Sequence, residues 1–132
     1  MRILIVDDEE ISLKVLKFAL EDAGHEVDVA RDGREALAAM ANGEHQLVIS
    51  DWEMPAPNGL DLCRAVRSRQ RDKYVYFILL TARSGSASHV EGLAAGADDF
   101  ITKPFDPDEL IAHVRVAQRI LSLQTRDAKI RS

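Results

Sequence analysis

Short apolar runs rich in β-branched residues recur along this chain, and each is followed by a segment with helical periodicity. The runs are Ile3 to Val6, Val27 to Ala30, Leu47 to Ser50, Val75 to Leu80 and Phe100 to Thr102. Uninterrupted apolar strands need cover on both faces, which buried parallel sheets receive. Between the runs, residues 11–23 set Leu13, Leu16, Leu20 and Ala23 on one helical face and Lys14, Lys17 and Glu21 on another, with Gly24 as a C-terminal stop. Residues 33–41, 59–69 and 86–95 read as three more helices, and the last begins near Pro107 with Asp106 as its N-cap. Five strands alternating with five helices imply right-handed crossovers and an α/β, doubly wound parallel sheet. No Gly-x-Gly-x-x-Gly or Walker-type stretch occurs, which disfavours the nucleotide-binding versions of that architecture.

A length of 132 residues suits one such domain, with a core large enough to need no disulfide or structural metal. The lone cysteine, Cys63, can form no internal disulfide and reads as a small buried hydrophobe on a helix. His25, His45, His89 and His113 are scattered without zinc-like spacing. A net charge of −5 argues against direct nucleic-acid binding, which needs basic surface. The first apolar run, Ile3 to Val6, is too short for a signal-peptide core or a membrane span, so a cytoplasmic location is expected.

In the final helix, Leu110, Val114, Ala117, Leu121 and Gln124 step by four and three, a seam that is apolar until its end. Two readings stay open. The helix either completes the core and ends in a frayed tail, or continues as a linker into an output domain.

Ligands of open parallel sheets bind outside the carboxyl ends of the strands. Asp7 and Asp8 follow the first run, Asp51 the third, Thr81 the fourth and Lys103 the fifth, followed by Pro104. Each alone is ordinary: acids cap helices, and a lone lysine is solvated. Together they place three carboxylates, a hydroxyl and an ammonium on one rim. Clustered carboxylates need a cation, and oxygen ligands of this kind suit Mg²⁺. A carboxylate is also a nucleophile toward phosphorus, giving an acyl phosphate. Phosphoryl transfer is catalysed by positioning and charge stabilisation, for which Mg²⁺, Lys103 and the Thr81 hydroxyl supply one contact each.

The stretches Ile3-Leu-Ile-Val-Asp-Asp8, Asp51-Trp-Glu-Met-Pro55 with Asn58-Gly59, Leu79-Leu-Thr-Ala82, and Gly96-Ala-Asp-Asp-Phe-Ile-Thr-Lys-Pro-Phe105 resemble the receiver domain of bacterial two-component response regulators, of the chemotaxis-regulator type. The resemblance covers residues 2–121 and divides the chain into a receiver at 1–121 and a tail or linker start at 122–132. It implies a flavodoxin-like sheet of strand order 2-1-3-4-5. It implies Asp51 as phosphoacceptor from a sensor histidine kinase or a histidine phosphotransfer protein. Mg²⁺ would be held by Asp8 and Asp51, by Asp7 mostly through water, and by the backbone carbonyl of Glu53. Lys103 would contact the phosphoryl group, Thr81 would turn to bond it, and Phe100 would follow as the switch aromatic. Phe100 departs from the commoner tyrosine, which puts in doubt any partner contact through that oxygen; plain core packing is the competing reading. A cis bond is implied at Lys103–Pro104, whereas Pro55 and Pro57 are expected to be ordinary trans loop prolines. Gly59 is expected to permit a special backbone conformation or a close approach near the third helix.

Glu53 and Arg83, each two residues past a site residue, are expected to pair and shield the acyl phosphate; two exposed charges without effect are the alternative. The switched surface is expected around residues 86–121. Phosphorylation-dependent homodimers would use it, with Arg115 and Arg119 facing Asp98 and Asp99. Ile11, Leu13, Lys14 and Leu16 on the first helix are expected to meet the kinase, and Trp52 to report on the site by fluorescence. Two alternatives are a degenerate receiver that only docks proteins, and an aspartyl-nucleophile phosphohydrolase. The second needs an aspartate where Glu53 stands. The receiver reading makes the chain a catalyst of its own phosphorylation and dephosphorylation only, not an enzyme.

Overall fold

The computed structural model describes residues 1–69, 73–83 and 85–131, with side chains as far as residue 124. Its elements run β1 (Arg2–Val6), α1 (Glu10–Asp22), β2 (Glu26–Ala30), α2 (Gly33–Asn42), β3 (Leu47–Asp51), α3 (Gly59–Ser68), β4 (Tyr76–Thr81), α4 (Ser86–Ala95), β5 (Asp99–Thr102) and α5 (Pro107–Arg131). The strands form one parallel sheet of order β2-β1-β3-β4-β5, as expected.

Strand side chains alternate between faces, and each face has its own core. Ile3, Ile5, Leu47, Ile49, Ile78 and Leu80 meet Leu13, Leu16 and Leu20 of α1 and Leu110, Val114 and Ala117 of α5. Leu4, Val6, Val48, Phe77 and Leu79 meet Ala36 and Met40 of α2 and Leu62, Cys63 and Val66 of α3. Leu4 and Ile5 are both fully buried, and truncation of either to alanine costs about 2–5 kcal/mol. Cys63 is fully buried, and burial pushes its thiol up to about 11, which makes it inert.

Local signals act as read. Gly24 sits at φ +94° just past α1. The Asp106 carboxylate accepts from the Glu109 N–H at 2.8 Å and caps α5. The α5 seam is buried through Ala117, half-buried at Leu121 and exposed at Gln124. No helix among the described residues is long and apolar enough to cross a membrane.

Four readings need correction. Ala23 is exposed rather than part of the α1 face, because it is the C-cap, where the helix has already turned away. Asp51 and Thr81 are the last residues of β3 and β4 rather than the first beyond them; β4 starts at Tyr76, so the ladder reaches one residue further toward the rim. Lys103–Pro104 is cis as expected, but Ala56–Pro57 is cis as well. The Pro57 ring sits against Gly33 of α2, where a Cβ would lie 2.6 Å from Pro57 Cγ, a distant contact with no local signal. Finally, Leu13 and Leu16 point into the core, and the exposed apolar stripe of α1 is Ile11, Val15 and Phe18.

Candidate functional site

Parallel strands end together, so the sheet delivers its site residues to one rim. Val6 pairs with Ser50, Asp51 with Leu80 and Thr81 with Thr102. One further ladder bond on each side carries the order past the strands: Asp7 N–H donates to Ala30 O at 3.2 Å, and Lys103 N–H to Thr81 O at 2.8 Å. Gly59 fixes the floor of the site. A Cβ there would lie 2.3 Å from Asp51 O and 2.8 Å from Trp52 Cα, so only glycine lets the start of α3 approach the backbone of Asp51. Its φ is not positive, so close approach is the reason. Asn58 and Asp61 form a reciprocal capping box around that start.

Carboxylate oxygens of Asp7, Asp8 and Asp51 lie within 4.8 Å of one another. Asp7 and Asp51 are buried and Asp8 is exposed. Lys103 Nζ donates to Asp51 Oδ1 at 2.7 Å. Burial, and then the neighbouring Asp51 and Asp8 charges, push Asp7 up to about 6 against the Glu9 N–H and Lys103. Burial also raises Asp51, with Lys103 opposing. Burial acts to lower Lys103, but its bond to Asp51 and the surrounding carboxylates outweigh it and hold the ammonium above its ordinary value.

Asp7 Oδ2 is buried without a hydrogen-bond partner among the described residues. An ionised buried oxygen without a donor is costly, and a cation held by Asp7, Asp8 and Asp51 would offset that cost. The all-oxygen donor set fits a hard divalent ion.

Thr81 is fully buried, and its hydroxyl is engaged by neighbours other than Asp51. It donates to Glu53 Oε1 at 2.7 Å and accepts from the Arg83 N–H at 2.9 Å. Arg83 Nε lies 3.6 Å from Glu53 Oε1, and its guanidinium sits 4.7 Å over the ring of buried Trp52. The expected Glu53–Arg83 pair therefore exists, with Thr81 as a third member. The Glu53 side chain takes part in this triad through Oε1.

Phe100 on β5 is half-buried against the α2–α3 core. The acids beside it are occupied inside the fold. Asp98 accepts from Arg67 Nη2 at 2.7 Å, from Phe77 N–H at 2.8 Å and from the Tyr74 hydroxyl, and Asp99 binds His113 Nδ1 at 2.5 Å. They are thus not free charges for Arg115 and Arg119 of a second copy. Arg67 of α3 holds Asp98 and His113 of α5 holds Asp99, contacts that the local sequence did not reveal.

The response regulator receiver domain family matches residues 3–115. The transcriptional regulatory protein YkoG of Bacillus subtilis is 42% identical over 125 residues, covering 95% of this chain and 54% of that protein. The phosphate regulon transcriptional regulatory protein PhoB of Rhizobium meliloti is 40% identical over 118 residues, covering 89% and 52%. This chain thus spans about half the length of the curated relatives it matches. Among solved structures, the chemotaxis protein CheY4 of Vibrio cholerae superposes with a TM-score of 0.84 at 34% identity, over 88% of this chain and 97% of that one. The response regulator TrrA of Thermotoga maritima, in complex with Mg²⁺ and BeF, gives 0.77 at 40% identity over 88% and 97%. With the fold, the rim and these relatives in agreement, the chain belongs to the response regulator receiver domain family.

Proposed function

We propose that Asp51 accepts a phosphoryl group from the phosphohistidine of a sensor kinase or a histidine phosphotransfer protein, and that the surface around residues 86–121 responds. One observation carries this reading above the rest: a buried aspartate with one oxygen on a lysine stands beside two further carboxylates that share the same lysine. Asp51 Oδ1 is held by Lys103, which leaves Oδ2 to attack phosphorus. The new O–P bond forms as the donor's N–P bond breaks, and the leaving imidazole nitrogen takes up a proton. Lys103 stays beside the carboxyl group and neutralises the transferred oxygens. Thr81 exchanges its bond to Glu53 for one to the phosphoryl group, and Phe100 follows. Asp7, Asp8, Asp51 and the Glu53 carbonyl would hold Mg²⁺, whose chemistry is to neutralise charge building on the phosphoryl oxygens. TrrA, bound to Mg²⁺ and BeF, supports that assignment.

A groove of 520 Å³ opens beside the site, lined by Ile11, Val15, Ala82, Lys103 and Phe105 among others. Its apolar walls suit an amphipathic helix presenting the donor histidine, with Ile11 and Val15 in the groove and Lys14 and Phe18 further along α1 as the residues that would recognise the kinase. Residues 1–121 act as the receiver. Residues 122–132 form the tail or the start of a linker to an output domain, as the length of the relatives suggests, with α5 continuing through them to Arg131. A homodimer formed on phosphorylation would use the α4–β5–α5 face, where Val90 and Leu93 are exposed. The chain turns over only its own phosphoryl group, in the cytoplasm.

Intact mass after incubation with Mg²⁺ and acetyl phosphate tests the reading. Wild type is expected to gain one phosphoryl group and Asp51→Asn none. Equal gain by both proteins would place the acceptor elsewhere.

A further inference from the structure

Phe100 rests in a seat built by α4. The His89 ring stacks on it with centroids 4.8 Å apart and planes 9° from parallel. Gly92 lies three residues on, where a Cβ would come within 2.4 Å of Phe100 Cε1 and 2.5 Å of Cζ. Residues three apart share a helix face, so the phenyl ring lies across the imidazole and the bare helix backbone. His89 Nε2 is buried without a hydrogen-bond partner among the described residues. Buried polar atoms are ordinarily paired; here the flat face of the ring makes the contact, and the nitrogen is left over.

The seat adjoins the switch. Phe100 pairs with Leu79 in the β4–β5 ladder, two residues before Thr81, and Leu79 Cδ1 also borders the space at Gly92. The Thr81 hydroxyl is bonded to Glu53 rather than to Asp51, which marks this as the resting arrangement.

We infer that His89 is a positioning residue that holds the switch aromatic in its resting seat, and so sets how strongly the acceptor site must be loaded before Phe100 moves. The inference rests on the reading of Phe100 as the switch aromatic. A ring that changes rotamer gives up the stack, and a ligand shifts such an equilibrium only by its differential affinity for the two states. An offset aromatic pair is worth roughly two- to tenfold in that equilibrium. Alanine at position 89 removes the face. Phenylalanine keeps it and removes the unpartnered nitrogen. Seat strength therefore rises from alanine through histidine to phenylalanine.

The test titrates the full chain with beryllofluoride in Mg²⁺, following the Phe100 ring by NMR and site occupancy by Trp52 fluorescence. His89→Ala is expected to lower the midpoint of the Phe100 transition by about two- to tenfold. His89→Phe is expected to return it to the wild-type value or above. Gly92→Ala, which fills the seat and leaves His89 in place, should lower it as well. Identical midpoints in all four proteins, with Phe100 moving in each, would overturn the role of His89 and leave the switch intact. A Phe100 signal that stays still in wild type while Trp52 reports full occupancy would overturn the switch itself, and this inference with it.

Discussion

Acids and cations cluster at both ends of the sheet, and they are treated in opposite ways. At the amino end, Arg67 donates to Gly96 O at 2.9 Å, to Val75 O at 2.6 Å and to Asp98 Oδ2 at 2.7 Å, and its guanidinium lies 4.6 Å over the Tyr74 ring. Asp98 in turn receives donors on both oxygens. Every group is satisfied, α3 is tied to β4 and to the end of α4, and nothing is left to react. At the carboxyl end, three acids share one lysine and Asp7 Oδ2 has no donor among the described residues. Closed networks hold a fold together. An open one carries excess charge that an ion and a phosphoryl group can answer, which is why perturbed groups gather at functional sites.

The difference can be broken from either end. Lys103→Ala removes the lysine of the open cluster, and phosphoryl uptake from acetyl phosphate should slow by roughly 10²-fold while urea unfolding shows a folded protein. A rate close to wild type would mean that Lys103 is merely a neighbour. Arg67→Ala opens the closed cluster and should lower stability by about 2–4 kcal/mol, because it leaves the partly buried Asp98 without its cation and the Val75 and Gly96 carbonyls without their donor. Uptake per folded molecule should stay unchanged; a matching loss of uptake would show that the two ends are coupled.

Asp7→Asn closes the open cluster instead. Folding holds the Asp7 proton more tightly than the unfolded chain does, since its value rises from 3.8 to about 6. Without metal, this group's contribution is therefore most favourable below the unfolded value and is lost as pH rises toward 6. Asp7→Asn should stabilise the metal-free protein at pH 7 by about 1–2 kcal/mol and weaken Mg²⁺ binding. Wild-type Mg²⁺ affinity should fall below about pH 6, where Asp7 takes up its proton. Pulse-labelled dephosphorylation probes the smallest effect: Glu53→Ala and Arg83→Ala should each speed loss of the phosphoryl group about two- to fivefold, the reach of an exposed ion pair. Unchanged rates in both would end the shielding role.

Much of this was legible in the amino-acid order. The alternation of β-branched runs with helical periods determined the layered sheet, because strand side chains alternate in direction and both faces had to be covered. The rim residues could be read because parallel strands all end on one side, so a polar residue after each run has one place to go. Other features were settled only by packing between distant segments. Whether Asp98 is free depends on an arginine 31 positions away, and the seat of Pro57 depends on Gly33. The stack of His89 on Phe100 joins α4 to β5 across a turn. The period of α4 places His89 and Gly92 on one face, but tertiary structure alone decides what that face meets, because the meeting is a property of two elements and is written in neither.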